Sequence, residues 1–282
     1  MTRRSEEIKY ILSLTPQEVI DKSGNNLIVC KDLDILHKTF ANYIAKEIQI
    51  NNEQDQISKL ILPIGPTGQY PILANIINNE MISLENCWFF FMDEYCDEKG
   101  DALKKTHPLS FKKIAKELFF NLLSNNSYLN QEHIIFPNKK NIERIADIID
   151  ELGGIDVCYG GIGIHGHLAF NESEKGVKNS NPRKVKLNNY TRTINAIRAN
   201  IGGNLENFPK EAFTLGMKQI LNAKKIRLYC RNGTPYDWAN TILRLALFGK
   251  PAYDYPVTFI RNHPDYIITT DWDTLKTPKF II

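Results

Sequence analysis

The chain has 282 residues, enough for one large α/β domain or two small ones. Apolar side chains make up 43% and charged ones 24%, the balance of a globular protein rather than a disordered or fibrous one. A formal net charge of +3, from 35 basic and 32 acidic side chains, gives no electrostatic case for nucleic acid or an anionic membrane as partner.

No apolar run approaches the roughly 20 residues that cross a bilayer. The charged start Met1–Glu7 has no apolar stretch behind it and does not read as a secretory signal. Residues 1–25 read as an N-terminal extension. The first helical pattern then runs through Leu36, Phe40, Tyr43, Ile44 and Ile48. Leu60-Ile61-Leu62 is a short strand followed by a Gly/Pro loop and a helix from Tyr70 to about Asn79. Cys87 to Met92 is apolar throughout, which suits a strand buried on both faces. Phe111, Ile114, Leu118, Phe119 and Leu122 predict a helix. Ile142, Ile145, Ile148, Ile149 and Leu152 predict another, with Asn141 as its N-cap. Ile155–Tyr159, Ile226–Cys230 and Ile267–Thr270 are further strands, and Trp238, Ile242, Leu245 and Leu247 mark a helix after the second of these. The asparagine pairs 51–52, 125–126 and 188–189 read as loops. Strands alternating with helices predict a single α/β domain: a mainly parallel, Rossmann-like sheet with helices on both faces. The five cysteines, at 30, 87, 96, 158 and 230, are odd in number and lack CxxC spacing. Free buried thiols in the cytoplasm follow.

Sheets of this class bind ligands where loops leave the carboxyl ends of the strands. Three such loops are chemically rich. The first is Pro63-Ile64-Gly65-Pro66-Thr67-Gly68, between a strand and a helix. It reads either as a Gly/Pro turn or as a phosphate cradle made of Gly65, Pro66, Thr67 and Gly68 with the helix N-terminus behind them. It lacks the GK[ST] ending of a Walker A loop. The second is Asp93-Glu94, two carboxylates at the mouth of an apolar strand, where partial burial raises a carboxyl pKa towards general-base range. The third is Gly160-Gly161-Ile162-Gly163-Ile164-His165-Gly166-His167 with Glu172 beyond it. A histidine such as His167 moves protons near neutrality, and a carboxylate such as Glu172 orients it. His165, His167, Glu172 and Asp93 are metal-ligand types, but neither HExxH spacing nor a Cys/His framework is present, and no metal is expected. The run Gly161–Gly166 has GxGxxG spacing but opens no helical pattern, so it is not read as a dinucleotide fingerprint and no cofactor is expected.

Met92-Asp93-Glu94-Tyr95, Gly160-Gly161-Ile162-Gly163 with Gly166-His167, and Ala169-Phe170-Asn171-Glu172 together resemble the motifs of the glucosamine-6-phosphate deaminase/isomerase family, which is related to the 6-phosphogluconolactonases. Phe213-Thr214-Leu215-Gly216 and Ile220-Leu221-Asn222-Ala223 are similar to a later family segment, so the resemblance spans about residues 35 to 270. The Ala-Phe-Asn-Glu ending favours the amino-sugar branch. The resemblance implies Asp93 as the base moving a proton between two carbons, and His167 with Glu172 as the ring-opening pair. It also implies phosphate held by the Gly65–Gly68 loop and by Arg198. Two departures stand out. His165 occupies the place of an aspartate commonly found there, inside the implied catalytic group. Asn232-Gly233-Thr234-Pro235-Tyr236 stands where the family carries a lysine, with Arg231 as the nearest replacement charge.

The implied activity is isomerisation of a phosphorylated amino sugar with release of ammonia. A lactonase-like hydrolase, another sugar-phosphate isomerase, and a non-catalytic sugar-phosphate sensor are the alternatives. The absence of a helix-turn-helix pattern speaks against the sensor, as does the joint presence of Asp93, His167 and Glu172. The implied partner is a small sugar phosphate, and family relatives point to a possible homo-oligomer.

Overall fold

The computed structural model describes residues 3–233 and 237–282, so Thr234, Pro235 and Tyr236 of the lysine-replacing segment lie outside the described residues. Seven strands form one parallel sheet: β1 (Leu27–Cys30), β2 (Ser58–Leu62), β3 (Cys87–Phe91), β5 (Ile134–Ile135), β6 (Val157–Gly161), β9 (Lys225–Tyr229) and β10 (Tyr266–Asp271). Their spatial order is β1-β10-β9-β6-β2-β3-β5. Three more strands, β4 (Asp93–Tyr95), β7 (Arg183–Lys186) and β8 (Glu211–Thr214), make a small antiparallel sheet in the order β4-β8-β7.

The helices are α1 (Arg3–Ser13), α2 (Pro16–Ser23), α3 (Leu33–Glu53), α4 (Gln69–Asn79), α5 (Phe111–Leu118), α6 (Ile145–Glu151), α7 (Asn189–Arg198), α8 (Met217–Leu221), α9 (Ala239–Phe248) and α10 (Trp272–Leu275). Alternation along the strands sorts the core into two layers, because successive side chains point to opposite faces. Leu60, Leu62, Phe89, Phe91 and Val157 face the layer covered by α3, α4 and α5. Ile61, Phe90, Cys158, Ile226 and Ile268 face the layer covered by α6, α8 and α9. The expected α/β sheet with helices on both faces is present. All five cysteines are buried and unpaired.

The expected N-terminal extension, described from residue 3, joins this second layer through Ile11, Leu14 and Val19. Arg244 on α9 is fully buried and holds the segment in place. Its guanidinium donates to the carbonyls of Leu14, Asn240, Leu275 and Lys276. The charge thereby sits at the carbonyl-rich C-terminal ends of α1 and α10, where the helix dipole favours a cation.

Three local expectations change. The pattern Phe111–Leu122 is broken at Phe119, whose φ of −132° ends α5, and a 3₁₀ turn follows. Asn141 does not cap α6: its side chain accepts the N–H of Asn138 behind it, and the helix starts at Ile145. Asn51 and Asn52 lie inside α3 rather than in a loop. There Asn51 donates to Ser58 Oγ and Asn52 to the Ser83 carbonyl, bonds that offset their poor helix propensity.

From β2 the chain crosses to β3 on one side, and from β6 the sheet continues to β9 on the other. The carboxyl ends of the adjacent strands β2 and β6 therefore flank a topological switch point, the usual crevice for a ligand in such sheets.

Candidate active site

A cleft of about 320 Å³ opens at that crevice. Gly65 and Thr67 line it from the loop after β2. The loop is pinned from within α4, where Tyr70 donates its hydroxyl to the Pro63 carbonyl and Gln69 donates its amide to the Pro66 carbonyl. Pro66 and Gly68, expected beside them, do not line the cleft. Pro66 backs onto Gly161, and a Cβ on Gly68 would overlap the imidazole of His37 on α3. Glycine at 68 therefore serves the close approach of α3 to the start of α4.

Gly161, at the end of β6, presses on the first loop. A Cβ there would come within 2.5 Å of the Gly65 carbonyl oxygen. A Cβ on Gly160 would meet Met92 at 2.8 Å. Gly161 is thus needed for the backbone of the third loop to meet that of the first, and Gly160 for its approach to the Met92 side chain. Beyond them the chain turns sharply. Gly166 has a φ of +67°, and two residues with side chains, His165 and Ala169, are also left-handed at +60° and +52°. Strained backbone of this kind persists where surrounding contacts hold it, and it concentrates at functional sites. The turn lays His167 into the cleft against Gly163.

Asp93 lines the same cleft from the start of β4. It is only 7% exposed, and burial, reinforced by the charge of Glu94, holds its carboxyl well above the ordinary carboxylate range. Glu94 points the other way. Its carboxylate accepts the N–H groups of Tyr95, Phe111 and Lys112 and the hydroxyl of Ser110, so it caps α5. The two adjacent acids have divided roles: one faces the cleft and the other holds the helix whose Phe111 and Ile114 form the cleft wall. His167 is buried, and burial lowers its pKa to about 4 against the opposing pull of a backbone hydrogen bond with Ile164. It is therefore a neutral imidazole at pH 7, with Nδ1 unpartnered among the described residues.

Two expected neighbours lie elsewhere. Glu172 does not bond His167. The turn at Ala169–Asn171 carries it to the start of α7, where it accepts the N–H of Asn188 at 2.9 Å. Burial raises its carboxyl pKa against the influence of Thr191 and of that N–H. His165 rests edge-on to Tyr190, 4.8 Å between ring centres, and lines a separate shallow groove with Asn188 and Asp254. Arg231 also stays out of the cleft and donates to the Asn232 carbonyl. Among the described residues, no three histidine, cysteine or acidic side chains come together as a metal would require.

Arg198, at the end of α7, does line the cleft. Burial lowers its pKa against the pull of Asp237, and its guanidinium carbon lies 3.8 Å above the ring of Trp238. Tyr95, Asn195 and Trp238 are cleft residues not singled out from sequence for this site. Asn195 donates to the Tyr95 hydroxyl and ties α7 to β4. Its spacing of three from Arg198 puts both on one helix face, which was a usable signal. Trp238 follows the end of β9, a fourth strand end feeding the same crevice.

The arrangement supplies a buried carboxyl able to take a proton, a neutral imidazole, and an anion-attracting end formed by a guanidinium and the start of α4. Among the described residues, no helix is long and apolar enough to cross a membrane. No family model matches the chain. A glucosamine-6-phosphate deaminase of Phocaeicola vulgatus is 31% identical over 255 residues, covering 87% of this chain and 90% of its own. One from Caenorhabditis elegans is 30% identical over 208 residues, 72% of this chain and 74% of its own. A solved monomeric glucosamine-6-phosphate deaminase superposes with a TM-score of 0.76 at 25% identity, over 88% of this chain and 98% of that one. A 6-phosphogluconolactonase from Shewanella baltica OS155 shares the fold at 16% identity and a TM-score of 0.58, over 88% and 98%. With that identity sustained over most of both chains, and with the motif residues Asp93 and His167 in one cleft, the chain belongs to the glucosamine-6-phosphate deaminase family.

Proposed function

We propose that this chain converts glucosamine 6-phosphate, or a closely similar amino-sugar phosphate, to a ketose phosphate and ammonia. The observation that carries the reading is the buried Asp93 carboxyl sharing one cleft with neutral His167, while Arg198 and Thr67 line the same cleft. His167 assists ring opening by passing a proton between the ring oxygen and the carbon-1 hydroxyl. Asp93 then takes the proton from carbon 2 and returns it to carbon 1. As that proton moves, one from the amine passes to the carbon-1 oxygen, so carbon 1 becomes an alcohol and the carbon-2 amine an imine; water then adds to carbon 2 and the nitrogen leaves as ammonia. Gly65, Thr67 and Arg198 hold the phosphate. Pro66 and Gly68 shape the loop from behind, against Gly161 and His37. Glu172 and His165 act from outside the cleft. Glu172 secures the start of α7, and His165 forms the left-handed turn that presents His167. The five unpaired buried thiols support action in the reducing cytoplasm. The near-balanced charge supports a small-molecule rather than a nucleic-acid partner.

The test is a panel of sugar phosphates, with ammonia and ketose measured together. Equal amounts of both from glucosamine 6-phosphate support the reading. Hydrolysis of a sugar-phosphate lactone, with no ammonia from any amino sugar, would replace it with the lactonase alternative.

A further inference from the structure

The end of β8 is bonded to both segments that carry the proton-handling groups. Thr214 pairs across the small sheet with Asp93 of β4 on one side and with Arg183 of β7 on the other. Leu215, the next residue, donates its N–H at 2.8 Å to the carbonyl of Met92, just ahead of Asp93. The same two residues hold the turn that follows His167. Thr214 Oγ1 accepts the N–H of Phe170 at 3.1 Å and donates to the Leu215 carbonyl. That carbonyl also takes one N–H of the Asn171 amide at 2.9 Å.

Asn171 is fully buried, and its side chain uses every bond it can make. The second N–H of its amide goes to the carbonyl of Leu168, next to His167, at 3.0 Å. Its Oδ1 accepts from Arg183 at 2.8 Å and from Ser180 Oγ at 3.2 Å. An amide has two such donors and an oxygen with two lone pairs, so neither an apolar nor an acidic side chain of the same shape satisfies this set. On its entering side the turn is held two residues past β6, where the Gly163 N–H donates to the His167 carbonyl at 3.0 Å. On its leaving side Asn171 and Thr214 hold it to β8. The left-handed Ala169, at a φ of +52°, lies between the two anchors, and such backbone persists only where neighbouring contacts fix it. Neither Asn171 nor Thr214 lines the cleft.

We propose that Asn171 and Thr214 are positioning residues for the reaction: by bonding the turn after His167 to the strand that pairs with Asp93, they set the imidazole and the carboxyl relative to each other. The inference rests on the reading in which those two groups move the substrate's protons. Substrate binding is left to the cleft residues, so the pair acts on the rate. A misplacement of about 1 Å at a reacting group costs on the order of 10² in rate, which sets the scale of the effect.

The experiment compares the full chain with Asn171→Asp, Thr214→Val and Thr214→Ser. Asn171→Asp keeps the shape and the acceptor for Arg183 but loses both donors. Thr214→Val keeps the shape and loses the hydroxyl, and it carries the test alone if the buried charge of the first variant prevents folding. Thr214→Ser keeps the hydroxyl. Per folded enzyme, kcat for glucosamine 6-phosphate should fall about 5- to 100-fold in the first two, with KM changed by less than about threefold, and Thr214→Ser should recover most of the loss. The carboxyl ¹³C resonance that Asp93→Asn removes and the imidazole ¹⁵N resonances that His167→Gln removes should both shift in the first two variants. A purely structural role would lower the urea midpoint and leave kcat and these resonances in place. The inference is overturned if kcat of a folded Thr214→Val falls by less than about fivefold, if KM rises in its stead, or if the resonances of both groups stay at their wild-type positions. A wild type that releases no ammonia from any amino sugar, yet whose Asp93 and His167 resonances both move in the variants, supports the inference and sinks the deaminase reading. Ammonia release with kcat and both sets of resonances unmoved does the reverse.

Discussion

The imidazole of His167 occupies the space in which any residue other than glycine at position 163 would carry its Cβ. A backbone amide and a proton-handling ring are in direct contact, so the placement of one depends on the smallness of the other. Gly163→Ala should leave the sheet intact, because a ring can swing where a backbone cannot, but it should push His167 out of line. A displacement of about 1 Å at a reacting group costs on the order of 10² in rate. We expect kcat/KM to fall by about that factor while the melting temperature changes little. An alanine variant with wild-type kinetics would place His167 outside the chemistry.

Asp93→Asn should remove the base and lower kcat by about 10²–10⁴. It should also change stability with a particular sign. The folded-state pKa of Asp93 is raised, so stability is lost as pH climbs from the unfolded value of about 3.9 through the folded one. The asparagine variant escapes that loss. Its melting temperature at pH 7 should equal or exceed that of the wild type, and the advantage should shrink towards pH 4. Calorimetry across that range checks the sign, and a variant that is less stable at pH 7 than at pH 4, relative to wild type, would contradict it.

The acid limb of kcat/KM should lie above the ordinary carboxylate range, because burial and Glu94 hold the Asp93 proton on. A negative neighbour makes ionisation harder, so Glu94→Gln should move the limb to lower pH. The same change turns one of the two acceptor oxygens into an amide donor, so either the Phe111 or the Lys112 N–H loses its partner, at about 0.5–2 kcal/mol as a weakened helix cap. If His167, with a pKa of about 4, set the limb instead, the profile would keep its position in this variant.

Arg244→Met should destabilise the fold without touching the cleft. It would strand the carbonyls of Leu14 and Leu275, while that of Lys276 keeps the amide of Asn240, at about 1–3 kcal/mol for each buried unmet group that water does not reach. A lowered urea midpoint with an unchanged slope, and an unchanged KM in the remaining folded enzyme, are the expected results. A midpoint equal to wild type would show that the carbonyls of Leu14 and Leu275 find other partners.

The sheet was legible because β2, β3, β6, β9 and β10 are apolar runs bounded by polar or glycine-rich segments. Such runs have few other ways to be buried. The two loops meeting at Gly65 and Gly161 were legible for a related reason, since dense glycine after a strand signals close backbone approach. What stayed hidden depends on direction rather than composition. Asp93 and Glu94 are adjacent acids at one strand end, and only the pleat decides that one faces the cleft and the other α5. The sequence distance from His167 to Glu172 fits a catalytic pair, yet the left-handed turn at Ala169 sends Glu172 to α7. Strand β1 was missed, being short and only partly buried. The antiparallel strands β4, β7 and β8 were missed too, since charged residues such as Arg183, Lys184 and Lys186 hide their pairing pattern. The contact of Trp238 with Arg198, 40 residues earlier, is one that no local pattern encodes.

The strand order has a consequence for how the molecule comes into being. β1 pairs only with β10, so Cys30 meets its neighbour Asp271 about 240 residues later in the chain. At about 5–20 residues per second, a ribosome takes on the order of 10–50 s to make that stretch. Throughout that interval β1 has no strand to lie against, while β2 and β3 already have each other and await only β6 to bring the first and third loops together. The cleft's centre can therefore assemble well before the sheet's far edge is laid down. In refolding experiments, protection of the β2–β3 amides should precede that of β1, and the last backbone hydrogen bonds to form should be those of the earliest strand made.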